Sequence, residues 1–196
     1  MNDNTEISQK NFIYMVTVFE GSLLLLSLIW GYFAEINPFG HIYLNHTDIA
    51  LAILASIVFV FLNFIAINKF SEYISFFRRL KDGYEEITGI AANITIPGAL
   101  LIAAISGFSE EIFFRGILQQ QFGIIIASVV FGLLHIGSAR TVNYGIYAIT
   151  GGFYFGLLYL VSGNLLVPII AHILNNFMAL PYMKYYYRKY VTRNTA

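Results

Sequence analysis

Four charged residues lie inside otherwise apolar sequence: Glu20, Glu110, Glu111 and Arg115. Glu111 and Arg115 are four apart, which on a helix puts them on one face in the favourable order, carboxylate before cation. They can neutralise each other. Glu110 is rotated from Glu111 by about 100° at 3.6 residues per turn, so it points elsewhere and lacks that partner. An unpaired carboxylate at membrane depth is a candidate general base. His135 and His172 also sit in apolar runs, and His172 shares a helix face with Asn176 at a spacing of four. Two histidines, a carboxylate and an amide are the parts of a site that activates water and stabilises an oxyanion.

The elements that must position these residues are set by composition. Of 196 residues, 58% are hydrophobic and only 11% charged, with mean hydropathy +0.68. A soluble domain carries roughly 25% charged residues, so a water-soluble globule is excluded. Six spanning helices of about 20 residues each would use about 120 positions. The expected fold is all-α, a single membrane domain over 1–196 with about six transmembrane helices around a polar cavity. The expected spans are 12–34, 49–67, 88–107 continuing as a motif helix over 108–121, 123–136, 143–161 and 165–182. The chain has no cysteine, which removes disulfides, thiol nucleophiles and Cys-ligated zinc. Basic and acidic residues number 11 each, leaving no basic face for nucleic acid.

With six spans and the N-terminus inside, ten of the eleven Lys and Arg residues fall on the cytoplasmic side, as the positive-inside bias requires. Both termini are then expected in the cytoplasm of a multi-pass cell-membrane protein. Arg115 is the exception, and at membrane depth beside two glutamates it needs a structural or chemical reason. Straight spans would place Glu110 near the far end of the third helix and His135 at the near end of the fourth, up to about 20 Å apart. The expected resolution is a break at Pro97 and Gly98, with Ser106 to Gln121 as a separate helix angled through the bundle. Glu110, His135 and His172 should then lie within roughly 10 Å of one another.

Other features read as structural. Glu20 is expected to face the bundle and partner Asn93 or Arg115. His41 and His46 are loop residues. Gly152-x-x-x-Gly156, with Gly145 nearby, reads as close helix packing. The tail from Tyr182 to Tyr190, five tyrosines beside Lys184 and Arg188, reads as an interfacial anchor. Richness in Ile, Asn, Tyr and Phe points to a bacterium of low GC content.

Three blocks, Glu110-Glu111-x-x-x-Arg115, Phe131-x-x-x-His135 and His172-x-x-x-Asn176, stand on consecutive apolar segments. In order and spacing they resemble the CAAX protease and bacteriocin-processing family, also called the Abi family, over about the C-terminal half of the chain. The resemblance implies an intramembrane endopeptidase related to type II CAAX prenyl endopeptidases, acting on a membrane-associated peptide or protein. It implies that Glu110 and His135 activate water, that His172 and Asn176 stabilise the oxyanion, and that Glu111 and Arg115 support them. No cofactor is required on this reading. The same residues could instead hold zinc or another divalent metal through His135, His172 and Glu110. A non-catalytic bacteriocin-immunity or scaffold protein of the same fold is the alternative from another class. A transporter is disfavoured because the hydrophobic segments show no internal repeat. A His-Glu-x-x-His zinc helix and a Gly-x-Gly-Asp aspartyl motif are both absent, and Glu110 replaces the glycine that Gly107-Phe108-Ser109 would need in a rhomboid-type turn.

Overall fold

The protein was analysed as a computed structural model that describes residues 3–81 and 94–186, with side chains over 9–81, 94–139 and 141–179. It is built from α1 (Asp3–Ala34), α2 (His46–Lys69), α3 (Ile96–Phe113), α4 (Gln119–Leu134), α5 (Val142–Ser162) and α6 (Leu166–Tyr186). Among the described residues there is no strand. Four stretches are long and apolar enough to cross a membrane: Gln9–Ala34, His46–Glu72, Ile96–Leu134 and Val142–Ser162, with Leu166–Ala179 a shorter apolar helix. Only 17% of the α1 window is buried. Its large apolar side chains, such as Leu25, Tyr32 and Phe33, point outward, as a helix in lipid requires. The fold is an all-α bundle of membrane-type helices.

The expected break at Pro97 and Gly98 is not there. Thr95 caps the start of α3 by accepting from the Gly98 N–H, and Pro97 sits in its first turn, where a missing N–H costs nothing. The helix then runs unbroken past Glu110 and through a π-turn at Phe114–Leu118 into α4. The break lies at Gly123, with φ 81° and ψ 169°. Phe114 and Phe131, 17 residues apart, would stand about 25 Å apart on a straight helix. Their rings are 4.9 Å apart, so the chain folds back at Gly123. The part of the expected third span before Ile94, and the side chains of the tyrosine-rich tail, lie outside the described residues.

Two close crossings fix the bundle. A Cβ on Gly152 would lie 2.9 Å from Ser128 Cα, so α4 and α5 touch backbone to backbone, as the small-residue spacing anticipates. On the opposite side α1 runs parallel to α3 in constant register: Gln9 Oε1 accepts from the Thr95 N–H at 3.0 Å, and Gly31 lies against Ile117, both pairs 86 residues apart. At the far end Asn164 donates to the Tyr43 carbonyl and to Asp48, and the Leu165 N–H to the His41 carbonyl, tying the loop after α1 to the α5–α6 turn.

The Gly123 backbone falls in a region that essentially only glycine adopts. Nothing lies within 4 Å of a Cβ added there or at Gly21, a helical position. Gly123→Ala should therefore lower stability by about 1–3 kcal/mol through backbone strain alone, while Gly21→Ala should not destabilise. Thermal unfolding of both variants in detergent checks the contrast.

Candidate active site

The site is built outward from Arg115, which is 1% exposed. Its Nη1 donates to Glu111 Oε1 at 2.9 Å and its Nη2 to the Gly152 carbonyl at 2.8 Å. The guanidinium also lies over the rings of Phe114, Phe131 and Phe155, at 5.1–5.8 Å from their centroids. One turn on, Gln119 donates to the Gly156 carbonyl at 3.0 Å. Gly152 and Gly156 thus supply carbonyls as well as close packing.

Glu111 is fully buried, and its Oε1 also meets His172 Nδ1 at 2.7 Å. Nδ1 is the donor of this contact when it carries the ring proton, the carboxylate oxygen accepting. The His172 ring stacks on Phe155 at 4.5 Å and 12°. Its Nε2 faces Glu110 Oε2 at 3.7 Å. Glu110 therefore does have a partner, contrary to the expectation from helical spacing: the His172 imidazole, with the buried Glu20 carboxyl of α1 as an electrostatic neighbour. Glu20 was expected to meet Asn93 or Arg115. Asn93 lies outside the described residues, and the Arg115 donors Nη1 and Nη2 go to Glu111 and Gly152.

His135 follows the last turn of α4, and its Nδ1 lies 2.7 Å from the Phe131 carbonyl. A proton on Nδ1 leaves Nε2 as an acceptor. The Phe131 ring stands between the two histidines, 4.5 Å from His135 and 5.9 Å from His172. Asn176 donates to Ser106 Oγ at 3.0 Å. His135, His172 and Asn176 line one cavity of about 80 Å³, together with Tyr144, Tyr147 and Asn175. Glu110 is not among the residues that line this cavity; its Oε2 faces the Nε2 of His172, which does.

Tyr144 and Asn175 were not singled out in the sequence. Asn175 had a signal, a second amide beside Asn176 in an apolar helix. Tyr144 had none, because tyrosine is common at membrane depth in this chain. Among the described residues no three His, Asp or Glu side chains are placed to hold a metal ion, and the His135, His172 and Glu110 set does not fit one.

Breaking a buried ion pair leaves an uncompensated charge and costs about 3–5 kcal/mol. Glu111→Gln and Arg115→Gln should each lower stability by that order, and the double variant should lose less than their sum. A double-mutant cycle in thermal stability that came out additive would remove the pair from this account.

Residues 92–178 match the family model described as type II CAAX prenyl endopeptidase Rce1-like. The uncharacterized protein YpbD of Bacillus subtilis is 35% identical over 83 residues, which is 42% of this chain. The match spans 44% of that relative's length. No solved structure matches the chain. All three motif blocks, from Glu110 to Asn176, fall inside the matched segment. The likeness to the Rce1-like type II CAAX prenyl endopeptidase family thus covers the motif-bearing residues 92–178.

Proposed function

We propose that the protein is an intramembrane endopeptidase of the CAAX protease type, hydrolysing a membrane-associated peptide or protein with a water activated by Glu110 and His135. The observation that carries this reading is the unbroken line Arg115, Glu111, His172, Glu110, buried in apolar helices and bordering a cavity that holds His135 and Asn176. A structural ion pair would need only Arg115 and Glu111. The two histidines, the second glutamate and the cavity are surplus to neutralisation.

A water beside His135 is oriented by the Nε2 lone pair that the Phe131 carbonyl leaves available. Its proton goes to Glu110, whose carboxylate turns from beside His172 into the cavity as substrate binds, and the resulting hydroxide adds to the substrate carbonyl carbon. The carbonyl oxygen becomes an oxyanion, stabilised by Asn176 Nδ2–H and by the proton on His172 Nε2 when that ring is charged. Collapse breaks the C–N bond, and Glu110 returns its proton to the leaving amine. The 3.7 Å gap between Glu110 and His172 is longer than a hydrogen bond. Glu111 and Arg115 hold His172 in orientation without touching substrate. The site would work in the cell membrane, with both termini in the cytoplasm, and without a metal.

Glu110→Gln keeps shape and hydrogen bonding but removes the base. Cleavage of a membrane-associated reporter peptide should fall by at least about a hundredfold, the usual worth of general base catalysis. Wild-type activity should survive a chelator. Undiminished cleavage by a pure Glu110→Gln preparation would overturn the assignment. Full biological activity of Glu110→Gln in cells would favour the non-catalytic alternative.

A further inference from the structure

The mechanism has Asn176 hold an oxyanion, and an amide does so only with its nitrogen side, since its oxygen would repel the same charge. What orients that amide lies on α3. This helix runs antiparallel to α6 and in backbone contact with it: a Cβ on Gly107 would stand 2.9 Å from the Ile173 nitrogen, and one turn on Glu111 meets His172. The same register brings Ser106 to Asn176, so the pair that α6 carries four residues apart is met by two holders on α3. Glu111 holds the imidazole and Ser106 the amide. Ser106 stands one turn before Glu110 and is 7% exposed.

The Ser106 Oγ accepts from Asn176 Nδ2 at 3.0 Å, and its own proton is directed to the Ala103 carbonyl, 3.5 Å away on the preceding turn. On the other side Asn176 Oδ1 accepts from Asn175 Nδ2 at 3.3 Å. The two neighbours therefore select opposite ends of one amide. Turning Asn176 over alone would set its N–H groups against those of Asn175, donor facing donor. Of the two hydrogens on Asn176 Nδ2, Ser106 takes one. The other is left for the cavity, which Asn176 lines beside His135 and His172 and Ser106 does not.

We propose that Ser106 is a positioning residue of the active site: by accepting one Nδ2 hydrogen of Asn176 it holds the amide with its second N–H toward the cavity, where the substrate carbonyl oxygen becomes an oxyanion. Asn175 holds the same orientation from the Oδ1 side. Ser106 touches no substrate and acts through Asn176. This deepens the peptidase reading and rests on it for its kinetic consequences, but not for the orientation of the amide itself.

The test uses full-length protein in detergent and a membrane-associated reporter peptide. Removing an oxyanion donor costs about 10²–10³ in kcat and loosening one costs part of that, so Ser106→Ala should lower kcat by about tenfold and leave KM within about twofold. In an Asn176→Ala background the same substitution should cost nothing further, because the amide it positions is gone. A merely structural serine would lower kcat by one factor in both backgrounds. That result, or an undiminished kcat in Ser106→Ala, would overturn the proposal and leave the peptidase standing. Heteronuclear NMR of protein labelled at its asparagine amides supplies a readout independent of cleavage. The Asn176 side-chain signal, identified by its absence in Asn176→Ala, should shift in Ser106→Ala and in Asn175→Ala, and an unmoved signal in Ser106→Ala would also overturn the proposal. A shifted signal in a protein that cleaves nothing would sink the peptidase reading and keep the orientation of the amide.

Discussion

Everything at this site hangs on the burial of one guanidinium. A cation in the hydrocarbon region costs roughly 2.5–3.5 kcal/mol on insertion scales, and several more if its donors go unmet. Arg115 is met by partners from different elements: Glu111 on its own helix, the Gly152 carbonyl on α5, and the rings of Phe131 on α4 and Phe155 on α5. Glu111 in turn holds His172 on α6. One buried charge thus fastens α3, α4, α5 and α6 around itself, and each fastening also orients a residue that faces the cavity.

The orientation of Glu110 is a consequence of that arrangement. Glu111 must face Arg115 and His172, which fixes the rotation of α3 at this turn. Glu110, about 100° round the helix, then has to face the other way, toward α1 and the far nitrogen of the same imidazole. His172 is bracketed between consecutive glutamates, Nδ1 to Glu111 and Nε2 to Glu110. The first is also ion-paired with Arg115. The second has no such pair, which is the difference on which the proposed mechanism makes Glu111 a support and Glu110 the base.

What the sequence revealed and what it hid divide along the same physical line. The Glu111–Arg115 pair was legible because it is local, one helical turn of one segment. The glycines of α5 were legible because small residues at a spacing of four have one dominant use in membranes. The bundle itself follows from hydropathy. The turn at Gly123 was hidden: proline is the stronger breaker signal, yet Pro97 is harmless because it stands in the first turn of α3, where Thr95 and Pro97 together mark a helix start and not a break. The proximity of Glu20 to Glu110 was hidden for a different reason. It depends on the parallel register of two helices, and a spacing of 90 residues carries no periodic trace of it.

The position of Gly123 answers the topological difficulty that the motif spacing raises. It stands 13 residues after Glu110 and 12 before His135. At 1.5 Å per residue the two arms are about 20 and 18 Å long, so a chain folded back at that glycine brings the two residues to nearly the same depth. A reversal at Pro97 could not do this, since both residues would follow it on one continuous run. The histidine on α6 is placed by another means, the bond to Glu111 and the stack on Phe155, with no covalent ruler linking it to the hairpin. Two devices of different kinds therefore converge. The hairpin sets depth by counting residues, whereas the ion-pair line sets direction by charge. Lengthening one arm by a single residue would leave depth nearly unchanged, at 1.5 Å, but would turn a side chain by about 100°. Direction is the stricter requirement, and it is met where the charged hydrogen bonds are concentrated.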